Sequence, residues 1–345
     1  MSDFKMPSLG ADMVEGKLLE WKIKPGDKVK RGDIVAVVET PKAAVEVESW
    51  QEGVVQELVT KPGETVPVGA VMATLLAPGE AAAPVSRKKV SPAARKRAAE
   101  LGVDAERLVG TGLDDAVSVE DVEKAAKPAA APAAFDKAAE MRKAIAAAMS
   151  RSKREIPHYY LSHSVSLARA GAWLEAENAR RPLPERLLMA VLFIKATAAA
   201  CKEYPEMNGH YREATFHPSA AAHVGVAISL RQGGLIAPAI HDAEKLSLTE
   251  LMKALTDLVK RARAGSLRSS EMSDPTITVT NLGEGGVDAV FGVIYPPQAA
   301  LVGFGTPREG RVVASVSGDH RVSDGHRGAL FLAAIERLLQ APEKL

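Results

Sequence analysis

Near its C-terminal end the chain reads Gly318-Asp319-His320-Arg321-Val322-Ser323-Asp324-Gly325. Imidazole titrates near pH ~6.5, so a modest shift makes it a proton acceptor at neutral pH. His320 has charges on both sides and a glycine turn after it. The run before it, Arg311 to Val316 (RVVASV), reads as a strand, and Ala329 to Leu339 reads as an amphipathic helix. A histidine presented at such a strand end is well placed for proton transfer. The same residues also fit a structural role, in which the His-Arg-Asp cluster caps the helix and satisfies the turn.

The rest of the chain must hold this loop. Its 345 residues suffice for two or three domains. Lys+Arg number 44 and Asp+Glu 43, a net charge of +1, which gives no electrostatic case for nucleic acid or a membrane surface. Aromatic residues are 4%, too few for base-stacking platforms. No uncharged apolar run is long enough to span a bilayer. The start, MSDFKMPSLG, lacks a basic n-region and an apolar h-region, so no signal peptide is expected. Cys201 is the single cysteine; it excludes an intrachain disulfide, fits a reducing compartment such as the cytoplasm, and reads as a small core residue of a helix.

Two Ala/Pro-rich segments, 77–89 and 126–137, read as extended, semi-rigid linkers. They separate an N-terminal domain (1–76), a small middle domain (90–125) and a C-terminal domain (138–345). The N-terminal piece repeats itself: Lys24-Pro25-Gly26-Asp27 returns as Lys61-Pro62-Gly63-Glu64, and Val29, Gly32, Ile34 and Ala36 return as Val66, Gly69, Val71 and Ala73. Short Val/Leu/Ile runs between these turns predict a small flattened β-barrel of two similar halves. A tandem of ordinary Pro-Gly hairpins would explain the turns but not the offset shared by the apolar positions. Glu39-Thr40-Pro41-Lys42-Ala43-Ala44 joins the halves, which puts Lys42 at a hairpin tip, open to covalent modification.

Residues 1–76 resemble a lipoyl domain, in which the modified lysine occupies such a turn after Glu-Thr. The resemblance assigns lipoate attachment to Lys42, with Pro41 in place of the usual acidic neighbour. Biotinyl domains are related but flank the lysine with methionine, unlike Pro41 and Ala43. The middle piece, with Ser91-Pro92-Ala93, Leu101-Gly102-Val103-Asp104, Val109-Gly110-Thr111-Gly112 and Glu120-Asp121-Val122, resembles the peripheral-subunit-binding domain of 2-oxo acid dehydrogenase complexes. Two helices are predicted in it, one started by Ser91-Pro92 and ended at Gly102, the other started by Ser118. Arg95, Lys96 and Arg97 would supply its basic patch, while Leu113-Asp114-Asp115-Ala116 replaces the family's Pro-Gly-Gly-Arg.

The C-terminal piece predicts an α/β domain. Helices are expected at Met141–Ser152, Pro184–Glu203 and Leu246–Ala264, the last capped by Ser247 or Thr249, and strands at His223–Ser229, Thr276–Thr280 and Ala299–Gly303. Met141-Arg142-Lys143, Ile156-Pro157-His158-Tyr159-Tyr160, Tyr204-Pro205-Glu206-Met207-Asn208, Thr280-Asn281-Leu282-Gly283, Pro296-Pro297-Gln298 and the His320 run resemble, in order, the catalytic domain of dihydrolipoyl acyltransferases. The resemblance implies a chloramphenicol-acetyltransferase-like fold and acyl transfer, acetyl or branched-chain, from lipoyl-Lys42 to coenzyme A. It assigns His320 as general base, Thr280 as oxyanion donor and Asp324 as the residue holding the loop. It implies a homotrimer, or a larger cage built from trimers, with His320 and Thr280 of one site from different chains. A thiamine-diphosphate decarboxylase would load the lipoyl arm, and a dihydrolipoyl dehydrogenase would be the other partner. Two rivals remain: a non-catalytic lipoyl and docking component, and a stand-alone acetyltransferase. The other histidines, His158, His163, His210, His217, His223, His241 and His326, show no metal-ligand spacing, so no metal is expected, and His158 is expected to pack.

Overall fold

The computed structural model describes residues 2–9, 13–40, 44–76, 90–101, 116–126, 137–230, 234–283 and 285–345. Two compact units emerge: residues 1–78 with 137–345, and residues 79–136.

The first unit begins with strands β1 (Ser2–Lys5), β2 (Glu15–Trp21), β3 (Lys28–Val29), β4 (Ile34–Glu39), β5 (Ala44–Glu48), β6 (Gly53–Leu58), β7 (Thr65–Pro67) and β8 (Val71–Leu76). They form two sheets, one ordered β1-β8-β6-β3, the other running β5-β4-β2-β7. Alternate residues of each strand enter one apolar interior, among them Leu18, Val38, Val45, Val47, Val55, Met72 and Leu75. The internal repeat is visible in the backbone. Gly26 and Gly63 adopt φ of 95° and 92°, and Gly32 and Gly69 adopt 89° and 86°. A side chain rarely tolerates that region, so the repeated glycines are the turns themselves. Both turns are also tied alike: the Lys24 N–H donates to Asp27 and the Lys61 N–H to Glu64.

The second unit contains α1 (Pro92–Leu101) and α2 (Val119–Ala126), packed through Ala94, Ala98, Val117 and Val122. Ser91 accepts from the Ala94 N–H and Ser118 from the Asp121 N–H, so both helices begin at hydroxyl caps. Of the expected basic patch, Arg97 is bound by Glu100 and Glu123. Gly102 and Leu113 to Asp115 lie outside the described residues.

The first unit continues with α3 (Lys137–Glu155), β9 (His158–Ser166), α4 (Ala168–Ala179) and α5 (Met189–Glu203). Next come β10 (Gly209–Arg212), β11 (Thr215–Pro218), β12 (Val224–Val226), β13 (Ile228–Ser229), β14 (Leu235–Ile236), β15 (Ala239–Ile240) and α6 (Leu248–Ala264). Last are β16 (Leu267–Arg268), α7 (Ser269–Ser273), β17 (Ile277–Asn281), β18 (Ala300–Phe304), β19 (Arg311–Asp319) and α8 (Gly325–Leu339). A mixed six-stranded sheet, β15-β12-β17-β18-β19-β9, forms the centre, with α5, α6 and α8 packed into its core. Phe193 of α5 stacks on Phe304 of β18, ring centroids 4.2 Å apart.

Several boundaries differ from expectation. The helix expected from Pro184 starts at Met189: Leu183–Glu185 form a single 3-10 turn, and beyond it Asn178 brackets Leu187, accepting its N–H and donating to its carbonyl. The strand expected over His223–Ser229 divides into β12 and β13, which join different sheets. Ser247, not Thr249, caps α6, in a capping box with Glu250; Thr249 receives Arg181.

Candidate active site

The His320 loop is built from the end of β19, an interior strand between β18 and β9. Asp319 closes that strand and is fully buried. A buried carboxylate needs a partner, and Arg321 supplies it: Nε and Nη2 donate at 2.9 and 2.6 Å. The Arg321 guanidinium in turn lies 3.9 Å from the centre of the Tyr211 ring. The Val322 and Ser323 N–H groups return to the Asp319 carbonyl, and the His320 N–H donates to Pro157. The backbone N–H groups from His320 to Ser323 are therefore all bonded, while His320 stays exposed.

One wall of the imidazole is Tyr159, edge-to-face with ring centroids 5.5 Å apart. Tyr159 sits on β9 opposite Gly318 of β19, and its hydroxyl is 2.8 Å from Ser323 Oγ. Two glycines make room for the ring. A Cβ at Gly318 would overlap it, and one at Gly328 of α8 would come within 2.9 Å. Burial pushes the Tyr159 phenol above its ordinary pKa, so it stays a neutral donor or acceptor.

Asp324 caps α8, accepting the Arg327 N–H at 2.9 Å. That bond above all, with the His326 N–H and the nearby imidazoles of His326 and His320, holds its carboxyl below the usual range. Arg327 is itself paired with Glu206 and lies over Tyr204. His158 uses both ring nitrogens on backbone: Nδ1 lies 2.8 Å from the Ile156 carbonyl and Nε2 accepts the Ile294 N–H. It packs.

Thr280 is half-buried on β17, away from this loop. It stands opposite Gly303, which stands opposite Ser315. His320 lies five residues beyond Ser315 and two strands over from Thr280. At ~3.3 Å per residue and ~4.8 Å per strand, the two are roughly 19 Å apart in one chain. A single copy brings His320, Asp324 and Tyr159 together and leaves Thr280 out. Lys42 lies outside the described residues; β4 and β5, which flank it, pair with Glu39 opposite Ala44.

Sequence reasoning singled out His320 and Asp324 through the motif they share with the acyltransferase catalytic domain, and the structure places both in this one loop. It missed Tyr159, Ser323 and the Asp319–Arg321 pair as supports. The available signal was a glycine inside a strand, Gly318, opposite a large aromatic.

The chain matches the catalytic domain of the 2-oxoacid dehydrogenase acyltransferases over residues 136–345, the family described as biotin-requiring enzyme (biotin/lipoyl attachment) over 2–75, and the e3 binding domain over 88–123. It belongs to the 2-oxoacid dehydrogenase acyltransferase family. It is 32% identical to the dihydrolipoyllysine-residue acetyltransferase component of the pyruvate dehydrogenase complex of Rhizobium meliloti, covering 98% of each chain. It is 30% identical to the corresponding component of the acetoin cleaving system of Bacillus subtilis, over 99% of this chain and 98% of that one. Its fold is similar to that of a probable dihydrolipoamide acetyltransferase of Listeria monocytogenes, at 28% identity and a TM-score of 0.55, over 62% of this chain and 95% of that one. The chain is thus an acyltransferase that works between covalently carried lipoate and coenzyme A. Among the described residues, no helix is long and apolar enough to cross a membrane.

Proposed function

We propose that this protein transfers an acetyl group between a lipoyl arm on Lys42 and coenzyme A. His320 is the general base, Thr280 the donor to the developing oxyanion, and Asp324 the residue that holds the loop. The arrangement is a lipoyl domain (1–76), a docking domain (90–125) and a catalytic domain (138–345), joined by linkers at 77–89 and 126–137. The observation that carries the reading is the His320 loop: an exposed imidazole on a backbone whose N–H groups are all bonded, against an aromatic wall. Acetyl is favoured over branched-chain acyl because the relatives at 32% and 30% identity are both acetyltransferase components.

A lipoyl group at Lys42 would present the acyl group as a thioester. The flanking strands fit such attachment, since Glu39 and Ala44 pair and bring the ends of the connection to within ~5 Å. A thiol of pKa ~8.5 is mostly protonated at neutral pH. His320 takes the proton from coenzyme A as its sulfur attacks the thioester carbonyl carbon. The new carbon–sulfur bond forms, the old one breaks, and His320 returns the proton to the leaving sulfur. Thr280 donates to the carbonyl oxygen as negative charge gathers there. Because one chain holds His320 and Thr280 roughly 19 Å apart, the working site is completed by a neighbouring copy, as in a trimer. The partners are a thiamine-diphosphate decarboxylase that loads the arm and a dihydrolipoyl dehydrogenase that reoxidises it. The single buried cysteine, whose thiol is driven far above its ordinary pKa by burial, suits the cytoplasm.

The test is acyl transfer by the full chain from acetyl-, isobutyryl- and succinyl-CoA to free dihydrolipoamide. Acetyl transfer that falls about 10²–10⁴-fold in His320→Ala is the expected result. Transfer that His320→Ala leaves untouched would remove His320 as the base; absence of transfer with every donor would assign the chain to the non-catalytic components.

A further inference from the structure

The N-terminal barrel does not stop at its own last strand. Strand β5 would be an edge, with one row of backbone groups unpaired. Instead β16 of the C-terminal domain lies beside it in parallel, Leu267 opposite Val45 and Arg268 opposite Glu46, giving the five-stranded order β16-β5-β4-β2-β7. The contact continues past the strands. The Glu48 N–H donates to Ser269 Oγ at 3.1 Å, and the Glu48 carboxylate accepts the Ser270 N–H at 3.3 Å. Met272 packs against both hydrophobic cores, that of the barrel and that of the C-terminal domain.

The receiving segment is held from behind. Glu271 is buried and takes a two-pronged bond from Arg261 of α6, at 2.6 and 2.5 Å, so residues 267–272 are positioned by their own domain. Ser8 and Trp50 of the barrel share the wall of a cavity of about 1130 Å³ with His210, Tyr211, Asp274 and Arg321. The docked barrel therefore stands at the rim of a cavity that reaches the residue next to His320.

We propose that Leu267–Met272 is a docking station for the chain's own lipoyl barrel, which it takes by strand addition to the β5 edge. The contact is short: two residue pairs, the bonds of Glu48 to Ser269 and Ser270, and Met272. Strand addition draws affinity from main-chain bonds, and a tether supplies a local concentration near the millimolar range, so a small contact suffices to hold the barrel and still release it. The barrel alternates between this station and its substrates. That consequence for arm travel rests on the acyl-transfer reading; the docking itself does not.

The test is a cross-link in the full, unlipoylated chain with Glu46→Cys and Arg268→Cys, which strand spacing brings into disulfide range. Cys201, the other thiol, is buried. The expected result is rapid disulfide formation within one chain on mild oxidation, and at least tenfold less when Glu48→Arg is added. In the lipoylated protein the cross-link should lower turnover of the assembled complex at least tenfold, reversibly on reduction, while transfer to free dihydrolipoamide changes less than twofold. Failure to cross-link, or barrel amides that relax as an independent small body in the uncross-linked chain, would overturn the docking. Equal cross-linking between chains carrying one cysteine each would assign the station to a neighbour's barrel and also overturn it. Loss of transfer to free dihydrolipoamide in the parent chain would count against the enzymatic reading and leave the docking standing.

Discussion

At the scale of residues, the proposed site separates groups that act from groups that aim them. Thr280→Ala should lower kcat about 10²–10³-fold, as removal of a single oxyanion donor does elsewhere, with little change in KM. Tyr159 touches His320 through its ring and Ser323 through its hydroxyl. Tyr159→Phe should cost transfer only a few-fold, because the wall remains. Gly318→Ala should be worse than Tyr159→Phe in both stability and rate, because a methyl there meets the ring and β19 cannot shift. Overpacking of this kind destabilises by about 1–3 kcal/mol, readable as a lower Tm. His320 and Asp324 were open to proposal from the sequence because their motif spans only eight residues. Tyr159 was not, since its partners His320 and Ser323 lie 161 and 164 positions away and only strand pairing reveals them.

At the scale of elements, local signals did well where the determinant was local. Ser247 and Glu250 form a capping box, and Gly265 ends α6 in a left-handed conformation with φ 72°. Ser247→Ala should destabilise by about 1 kcal/mol, measured by chemical denaturation, and Thr249→Ala should not act through the cap. The start of α5 went otherwise. Pro184 is a good first helical residue, yet Asn178 on α4 captures the backbone of Leu187 and delays the helix to Met189. Asn178→Ala should unpin that stretch and lower Tm with kcat unchanged. The barrel turns fall between these cases: repetition of Gly26 and Gly32 as Gly63 and Gly69 exposed them in the sequence, and their positive φ explains why glycine recurs.

At the scale of the whole molecule, the proposed roles of His320 and Thr280, set against their separation in one chain, make activity a property of an assembly. Mixed assemblies of His320→Ala and Thr280→Ala chains should recover activity that neither shows alone, up to about a quarter of sites under random mixing in a closed ring. No recovery on mixing would place both residues of a site in one chain. Stability should also depend on pH. Burial depresses the pKa of His158, His210 and His223 below the ordinary 6.5. The unfolded chain binds those protons more readily, so stability is full above pH 6.5 and declines as pH falls below it. His241 runs the opposite way: its bond to Asp274 raises its pKa, so its contribution is present in acid and lost as pH rises. Three against one predicts a lower Tm between pH 6.5 and 5. His223→Gln, which keeps an acceptor for the Asp242 N–H, should flatten that slope; an unchanged slope would exclude His223 as a source.

By itself the sequence determined the three-part composition, the repeat that closes the barrel, the position of Lys42 between its halves and the identity of the His320 loop. Each of these is written in neighbouring residues or in a fixed offset, and local chemistry is enough to read it. The tertiary structure alone decided that Arg321 neutralises Asp319, that Tyr159 walls His320, that Thr280 is out of reach within one chain and that β5 finds a partner in β16. Those outcomes depend on which strands pair and in what register, and register is a property of packing between segments hundreds of residues apart.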